Sequence, residues 1–351
     1  MSTNRWFGIF LGILVSTFAS TAQGQTANPA VGDGAEPRAP AKSPAVQAAE
    51  QLAIQLQKFP ASREKKTEYV ALFMLDSVTN QVTQIAAEPE PGYLYCGSSE
   101  WSSDGQRILF DALPTENEWS KTQMQSIELG EARPRYLHLG TGTFPTMTED
   151  GERILFLLHP GMAGEEMGTL WVMQADGSER RKLEEYGRPK LSPDGRLCMI
   201  SSIQKPIRVK LVDLSNARIY PVNLPDQQQI FSIPSWADGQ TIVAMTGTEI
   251  VEAVSLFDAS DPKNVRIKET LWKRKNESDL RPRSPVYSPI TRRGFFIAND
   301  AEKGTAVYSY RQGDPRPAVR IEATAGRQMA GLGLAPGGRY VLFAHAVEAK
   351  E

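Results

Sequence analysis

Cysteine and histidine are scarce, two and three in 351 residues. Two cysteines cannot make a disulfide framework. Cys96 precedes a turn and Cys198 lies in an apolar run 102 residues later, so bridging them would need two separated elements within ~7 Å. Two unpaired, buried thiols are expected. His138, His159 and His345 show no H-x-x-H spacing and no Cys-x-x-Cys accompanies them, which predicts loop or rim residues and no metal site. No G-x-S-x-G nucleophile elbow is present. Charge of one sign is also missing: 39 Lys and Arg stand against 41 Asp and Glu, a net charge of −2, so no basic footprint for nucleic acid exists.

A long apolar run is absent too. Residues 1–24 place Arg5 ahead of WFGIFLGILV and finish on Ser20-Thr21-Ala22-Gln23-Gly24. That stretch is shorter than the ~20 residues that span a bilayer, and it predicts a signal peptide cut after Ala22 or Gly24, with no transmembrane span afterwards. An uncleaved anchor helix is the alternative. No Cys follows the run, which speaks against a lipid anchor.

What is present is a repeat. Residues 169–201, TLWVMQADGSERRKLEEYGRPKLSPDGRLCMIS, hold one complete copy. Leu170 to Met173 and Arg180 to Leu183 flank the turn residues Ala175-Asp176-Gly177-Ser178, which makes a hairpin. Pro189 to Leu191 then leads into Ser192-Pro193-Asp194-Gly195, where Pro fixes φ and Gly accepts a positive φ. Leu197 to Ile200 is a consecutively apolar strand, as expected where both faces are covered. The turn glycine recurs as Gly105, Gly151, Gly195, Gly239, Gly294 and Gly338, at spacings of 46, 44, 44, 55 and 44 residues. A period near ~45 with four short strands predicts an all-β, six-bladed β-propeller of four-stranded antiparallel blades. The chain begins with a hairpin half and ends with a turn-and-strand half. Pairing the two completes the sixth blade and removes exposed sheet edges.

The W-S-P-D-G-x-x-I-x-F type turn and the L-W-V-M-x-A-D-G-S hairpin resemble the TolB-like, WD40-like propeller repeats of bacterial envelope proteins, over residues 66–347. The resemblance implies the fold; such propellers host many activities. TolB carries a separate α/β domain before its propeller, and the stretch before residue 66 has no room for one. Prolyl-peptidase-type enzymes set similar propellers as gates before a hydrolase domain, and no downstream α/β segment is expected here.

The domain plan is therefore a signal peptide (1–24), an Ala/Pro-rich linker with a short amphipathic helix (25–60), the propeller (66–347) and a tail (348–351). The helix is expected from Ser43-Pro44, a cap and first-turn proline, followed by Ala45, Ala49, Leu52, Ala53, Leu56 and Phe59 at helical spacing. It packs on the propeller flank or docks a partner or membrane surface.

In a propeller the Asp-Gly turns and hairpin turns share one face, so ligands belong on the other. The segments leading to the inner strands there carry Arg188, Lys190, Arg281, Arg283 and Arg327, with Glu100 beside them, and Trp119, Met162 and Met167 lie in the longest loops of the early blades. These bases either converge on a channel mouth that binds a carboxylate, an acidic peptide or a polyanionic glycan, or pair with Glu184, Glu185, Asp279 and Glu322. Asp104, Asp150, Asp194 and Asp238 are expected to form turns, and Trp101, Trp236 and Tyr287 to pack between blades. The sequence reads as a monomeric, exported, non-catalytic binding module of the periplasm or exterior, with no cofactor. The alternatives are a channel-mouth enzyme or binder acting on an acidic glycan or carboxylate ligand, and a structural role fixed by the N-terminal helix.

Overall fold

The computed structural model describes residues 68–86, 95–113, 119–129, 135–158, 169–183, 187–202, 207–225, 227–274, 280, 282–300, 302–314, 316–326 and 329–348. The expected signal peptide, linker and helix lie outside these residues, as do His159, Met162 and Met167. The chain opens with a hairpin, β1 (Glu68–Asp76) and β2 (Val82–Ala86). Blade one holds β3 (Tyr95–Trp101), β4 (Arg107–Leu113), β5 (Gln123–Glu128) and β6 (Arg135–Thr141). Blade two holds β7 (Thr143–Met147), β8 (Arg153–Leu158), β9 (Thr169–Gln174) and β10 (Arg181–Lys182). Blade three is β11 (Arg188–Leu191), β12 (Leu197–Ser201), β13 (Val209–Asp213) and β14 (Arg218–Pro221). Blade four splits its inner strand into β15 (Gln229–Ile230) and β16 (Ser235–Trp236), then adds β17 (Thr241–Gly247), β18 (Ala253–Asp258) and β19 (Arg266–Lys273). Blade five is β20 (Arg283–Ser288), β21 (Arg293–Asp300), β22 (Gly304–Arg311) and β23 (Val319–Arg320). Finally β24 (Met329–Leu334) and β25 (Tyr340–Glu348) pair with the opening hairpin, in the order β24-β25-β1-β2. The β1–β25 register is unbroken from Glu68↔Glu348 to Asp76↔Tyr340. The ring closes by joining the two ends of the repeat array.

Side-chain alternation explains how the blades hold together. Successive residues of a strand point to opposite faces, and each second strand divides its apolar residues between two neighbours. In β12, Leu197 and Met199 pack toward blade four, whereas Cys198 and Ile200 pack toward blade two. The same division holds for Ile242 and Ala244 against Val243 and Met245, and for Phe296 against Phe295. Six apolar clusters result, one per pair of neighbouring blades. Trp101, Trp236 and Tyr287 belong to three of them.

The turns behave as their residues require. Asp104 Oδ1 accepts from the Gln106 amide (2.9 Å) and the Ser102 hydroxyl (2.5 Å), and Asp150 repeats this with Glu152 and Thr148. Asp194 and Asp238 accept from the Arg196 and Gln240 amides. Just outside each turn, the residue after the third strand donates its amide to a carbonyl beside the turn glycine's position. These pairs are Leu129–Gln106, Ala175–Glu152, Leu214–Arg196, Ala259–Gln240, Gln312–Arg292 and Ser77–Arg339. Blades four and five depart from the expected glycine rule: Gly239 does not take a positive φ, and in blade five it is Arg292 that takes the left-handed conformation (φ 52). Gly294 serves a different need there: a Cβ on it would sit 2.1 Å from Tyr310 Cζ.

Two expectations need correction. His138 and His345 lie inside β6 and β25, not in loops or at a rim. His138 Nε2 bonds Gln123 Oε1 at 2.7 Å, and His345 packs against the Phe73 and Phe343 rings. Extended pairing captured both because each sits in register opposite a partner strand, with Gln125↔His138 and Ala71↔His345. Cys96 and Cys198 are buried, free thiols, and burial pushes both up to about 12.

Candidate functional site

Inner strands line the centre of a propeller, so the site is built from them. Four of the six carry a bulge at one equivalent place. The pairing register shifts between Gly97 and Glu100, Thr143 and Thr146, Arg283 and Val286, and within β24 before Leu332. At each bulge one residue turns left-handed: Ser98 (φ 45), Phe144 (φ 52), Ser284 (φ 52) and Gly331 (φ 56). A bulge re-aims side chains and raises local twist. In Phe144, an aromatic residue, this conformation costs about 1–3 kcal/mol and persists only where neighbours impose it. Blade three stays regular, with Arg188↔Ser201 and Pro189↔Ile200. Its lead-in is Gly187 (φ 133), where a Cβ would meet Ile200 Cγ2 at 2.7 Å.

One register position forms a layer around the ring. Glu100, Thr146, Lys190, Ser235, Val286 and Gly333 pair with Leu109, Leu155, Met199, Val243, Phe295 and Leu342 respectively. Through blades one to four this layer is polar and connected. Thr146 bonds the Glu100 carboxylate and also accepts from the Leu191 amide at 3.2 Å. Lys190 Nζ donates to Ser235 Oγ at 3.3 Å, and the Trp236 indole donates to the Lys190 carbonyl at 2.9 Å. Enclosure by protein atoms pushes the Glu100 carboxyl up, and the Lys190 charge and the Thr146 bond pull it partly back.

A second group lies nearer the mouth. Asp111 is 3% exposed in β4, opposite Gly97. Its Oδ2 accepts from the Phe144 amide of blade two at 3.1 Å, and Ser98 bonds the same carboxylate. Its Oδ1 is buried with no hydrogen-bond partner. Across from it, the Arg188 guanidinium lies over the Phe144 ring, 4.4 Å from the centroid. Burial pushes the Asp111 carboxyl up to about 6, against the pull of the Phe144 amide, Ser98 and the Arg188 charge. Register places Leu157, Ser201, Met245, Ile297 and Ala344 at the equivalent positions of the other blades. Only here does that place hold a charge.

Of the residues singled out in the sequence, Arg188, Lys190 and Glu100 come together in blades one to three. Arg283 opens β20 in blade five, where burial lowers it to about 10. Trp119 opens a short 3-10 turn, Trp119–Lys121. Arg281 and Arg327 lie outside the described residues, as do Glu184, Glu185 and Asp279. Glu322, offered as a surface partner for the bases, pairs with Arg320. Sequence reasoning missed Asp111, Ser98 and Phe144. The signal for Asp111 was available: RILFDAL places a carboxylate where RILFLL has leucine. Among the described residues no cluster of three or more His, Cys, Asp or Glu could hold a metal ion.

No protein-family model matches the chain, and no curated protein matches it in sequence. Solved structures do. A protein assigned as TolB from Agrobacterium tumefaciens matches with a TM-score of 0.55 at 13% identity, over 81% of this chain and 100% of its own. TolB from Acinetobacter baumannii gives 0.47 at 13% identity, over 87% and 69%. A prolyl endopeptidase gives 0.50 at 12% identity over 87% of this chain, which spans 55% of that enzyme. Identities this low speak to architecture alone. That architecture, six blades closed by pairing the first hairpin with the last strands, is a TolB-like β-propeller.

Proposed function

We propose that the chain is an exported, monomeric binding module of the cell envelope, acting in the periplasm or outside the cell. Its channel mouth captures a carboxylate-bearing segment of a protein partner. The observation that carries this reading is the charge enclosed at the centre of the ring: Arg188 and Asp111 are buried, and Lys190, Arg283 and Glu100 are half-buried beside them in the inner strands. Placing charges inside a protein costs several kcal/mol each, about what a domain's whole margin can bear, so such groups concentrate where they do work on a ligand. Arg suits carboxylates because its planar fork donates two parallel bonds. Each of these carboxylates is coupled to a base, Glu100 to Lys190 and Asp111 to Arg188. That pairing favours binding over hydrolysis by two cooperating acids. Export rests on residues 1–24. No helix among the described residues is long and apolar enough to cross a membrane.

Crosslinking capture from the producing cell's envelope extract tests the reading. The parent protein is expected to retain a discrete protein that is lost when Arg188, Lys190, Arg281 and Arg283 become Ala. Equal capture by both proteins would remove the mouth from the account. If the parent retains an acidic glycan and no protein, the ligand class changes while the site stands.

A further inference from the structure

Asp111 stands where the other blades hold leucine, serine, methionine, isoleucine and alanine, and its carboxylate is coupled to the Arg188 charge. The carboxylate is already committed on one side, since Oδ2 takes the Phe144 amide. The other side, Oδ1, receives no donor. Among the described residues, the groups around it are the Ser98 hydroxyl and Cys96 thiol of β3, the Phe144 amide of β7 and the Arg188 guanidinium of β11. Burial keeps the Cys96 thiol neutral, so Arg188 and Asp111 carry the local charge.

We propose that Asp111 is an internal competitor for the Arg188 guanidinium, so that capture of a partner's carboxylate at this site is coupled to the uptake of one proton by Asp111. The inference rests on the binding-module reading given above. Two carboxylates brought to one guanidinium in an enclosed place repel each other, and the cheaper outcome is protonation of one. The incoming group remains ionised, and a proton from solvent adds to Asp111 at Oδ1, the oxygen without a donor. The Phe144 amide keeps its bond to Oδ2, which preserves the ring on which Arg188 rests. Linkage makes the effect reciprocal: ligand raises the proton affinity of Asp111, and protons raise the affinity for ligand.

The test uses a fluorescein-labelled hexaglutamate peptide and anisotropy titrations between pH 7.5 and 6.0, on the full chain and on Asp111→Asn and Arg188→Ala. In the parent protein, affinity is expected to rise about tenfold as pH falls across that range, since one proton is taken up per ligand bound. In Asp111→Asn the affinity is expected to be high and nearly flat with pH. The histidines are retained in that variant, so their titration cancels from the comparison. Protonation of the peptide's own glutamates acts in the opposite direction and cannot imitate the rise. A 13C titration of the Asp111 carboxyl in the unmodified protein gives a second readout, its midpoint moving upward when peptide is present. Binding that needs Arg188 but has the same pH slope in parent and Asp111→Asn would overturn the competitor role and leave the binding reading intact. No peptide binding to any of the three proteins would overturn the carboxylate-binding reading and the inference with it.

Discussion

Phe343→Ala is expected to lower the stability of the ring by about 3–5 kcal/mol, the cost of emptying a buried aromatic site. Phe343 is 1% exposed in β25 and packs with Phe295 and Ile297 of blade five. Its ring stacks on Phe73 of β1 at 5.7 Å, and the two residues face each other in the register. One side chain therefore secures a blade-to-blade interface and the seam between the two ends of the chain. Loss of that packing acts where the two ends of the sequence join to close the ring. The unfolding midpoint in denaturant should fall, and protease should cut the β1–β2 hairpin earlier than in the parent protein. The same substitution at Phe156, inside blade two, should cost a similar amount without speeding that cut. A loss below about 1 kcal/mol at Phe343 would mean that the seam is not held by this packing.

The second large effect is a dependence of stability on pH that belongs to Asp111. Its carboxyl in the folded protein is pushed up to about 6, above the 3.8 of an unburied aspartate. For a group raised in this way, its favourable contribution is fully present below the unfolded value and is lost as pH rises through the folded value. The window runs from about pH 4 to about pH 6, and a displacement of two pH units corresponds to about 3 kcal/mol. Turn aspartates behave oppositely. Hydrogen bonds from Ser102 and Thr148 hold Asp104 and Asp150 below the usual range, so their contributions fade as pH falls. Comparison with Asp111→Asn cancels these common effects. Between pH 4 and pH 7.5 the stability difference should move by about 3 kcal/mol in favour of the variant. An unchanged difference across that range would show that Asp111 is not a strained, buried acid. The expected pattern is a residue kept at a cost to folding, the usual mark of a group retained for binding.

The repeat was legible because its punctuation is chemical. An aspartate that accepts two residues ahead and a glycine or its substitute at the corner leave a trace in every copy, and alternation then fixes which neighbour each apolar residue meets. The closing seam followed from phase alone. The bulges were not legible. Ser98, Phe144, Ser284 and Gly331 are not one residue type, and what places them left-handed is a shift in pairing, which has no local signature. The charged site was half legible. Arg188, Lys190 and Glu100 could be named from the segments that carry them, but their partners come from neighbouring blades: Phe144 under Arg188, Ser235 beside Lys190, Thr146 beside Glu100. Those distances depend on the curvature of a closed ring. Asp111 was visible only by aligning copies of the second strand, where one charge stands among uncharged residues.

The two faces of the ring offer different surfaces. Ile250, in the turn between β17 and β18, is 54% exposed at the end where the inner strands begin, and Ile290 is 74% exposed at the opposite end, beside the Ser288 turn. The most direct measurement of the central claim is photo-crosslinking in producing cells from a benzophenone residue at one position or the other. A partner adduct from position 250 that disappears with Arg188→Ala, and none from position 290, is the result expected of a mouth-binding module. Adducts from position 290 alone, or from position 250 regardless of Arg188, would contradict it.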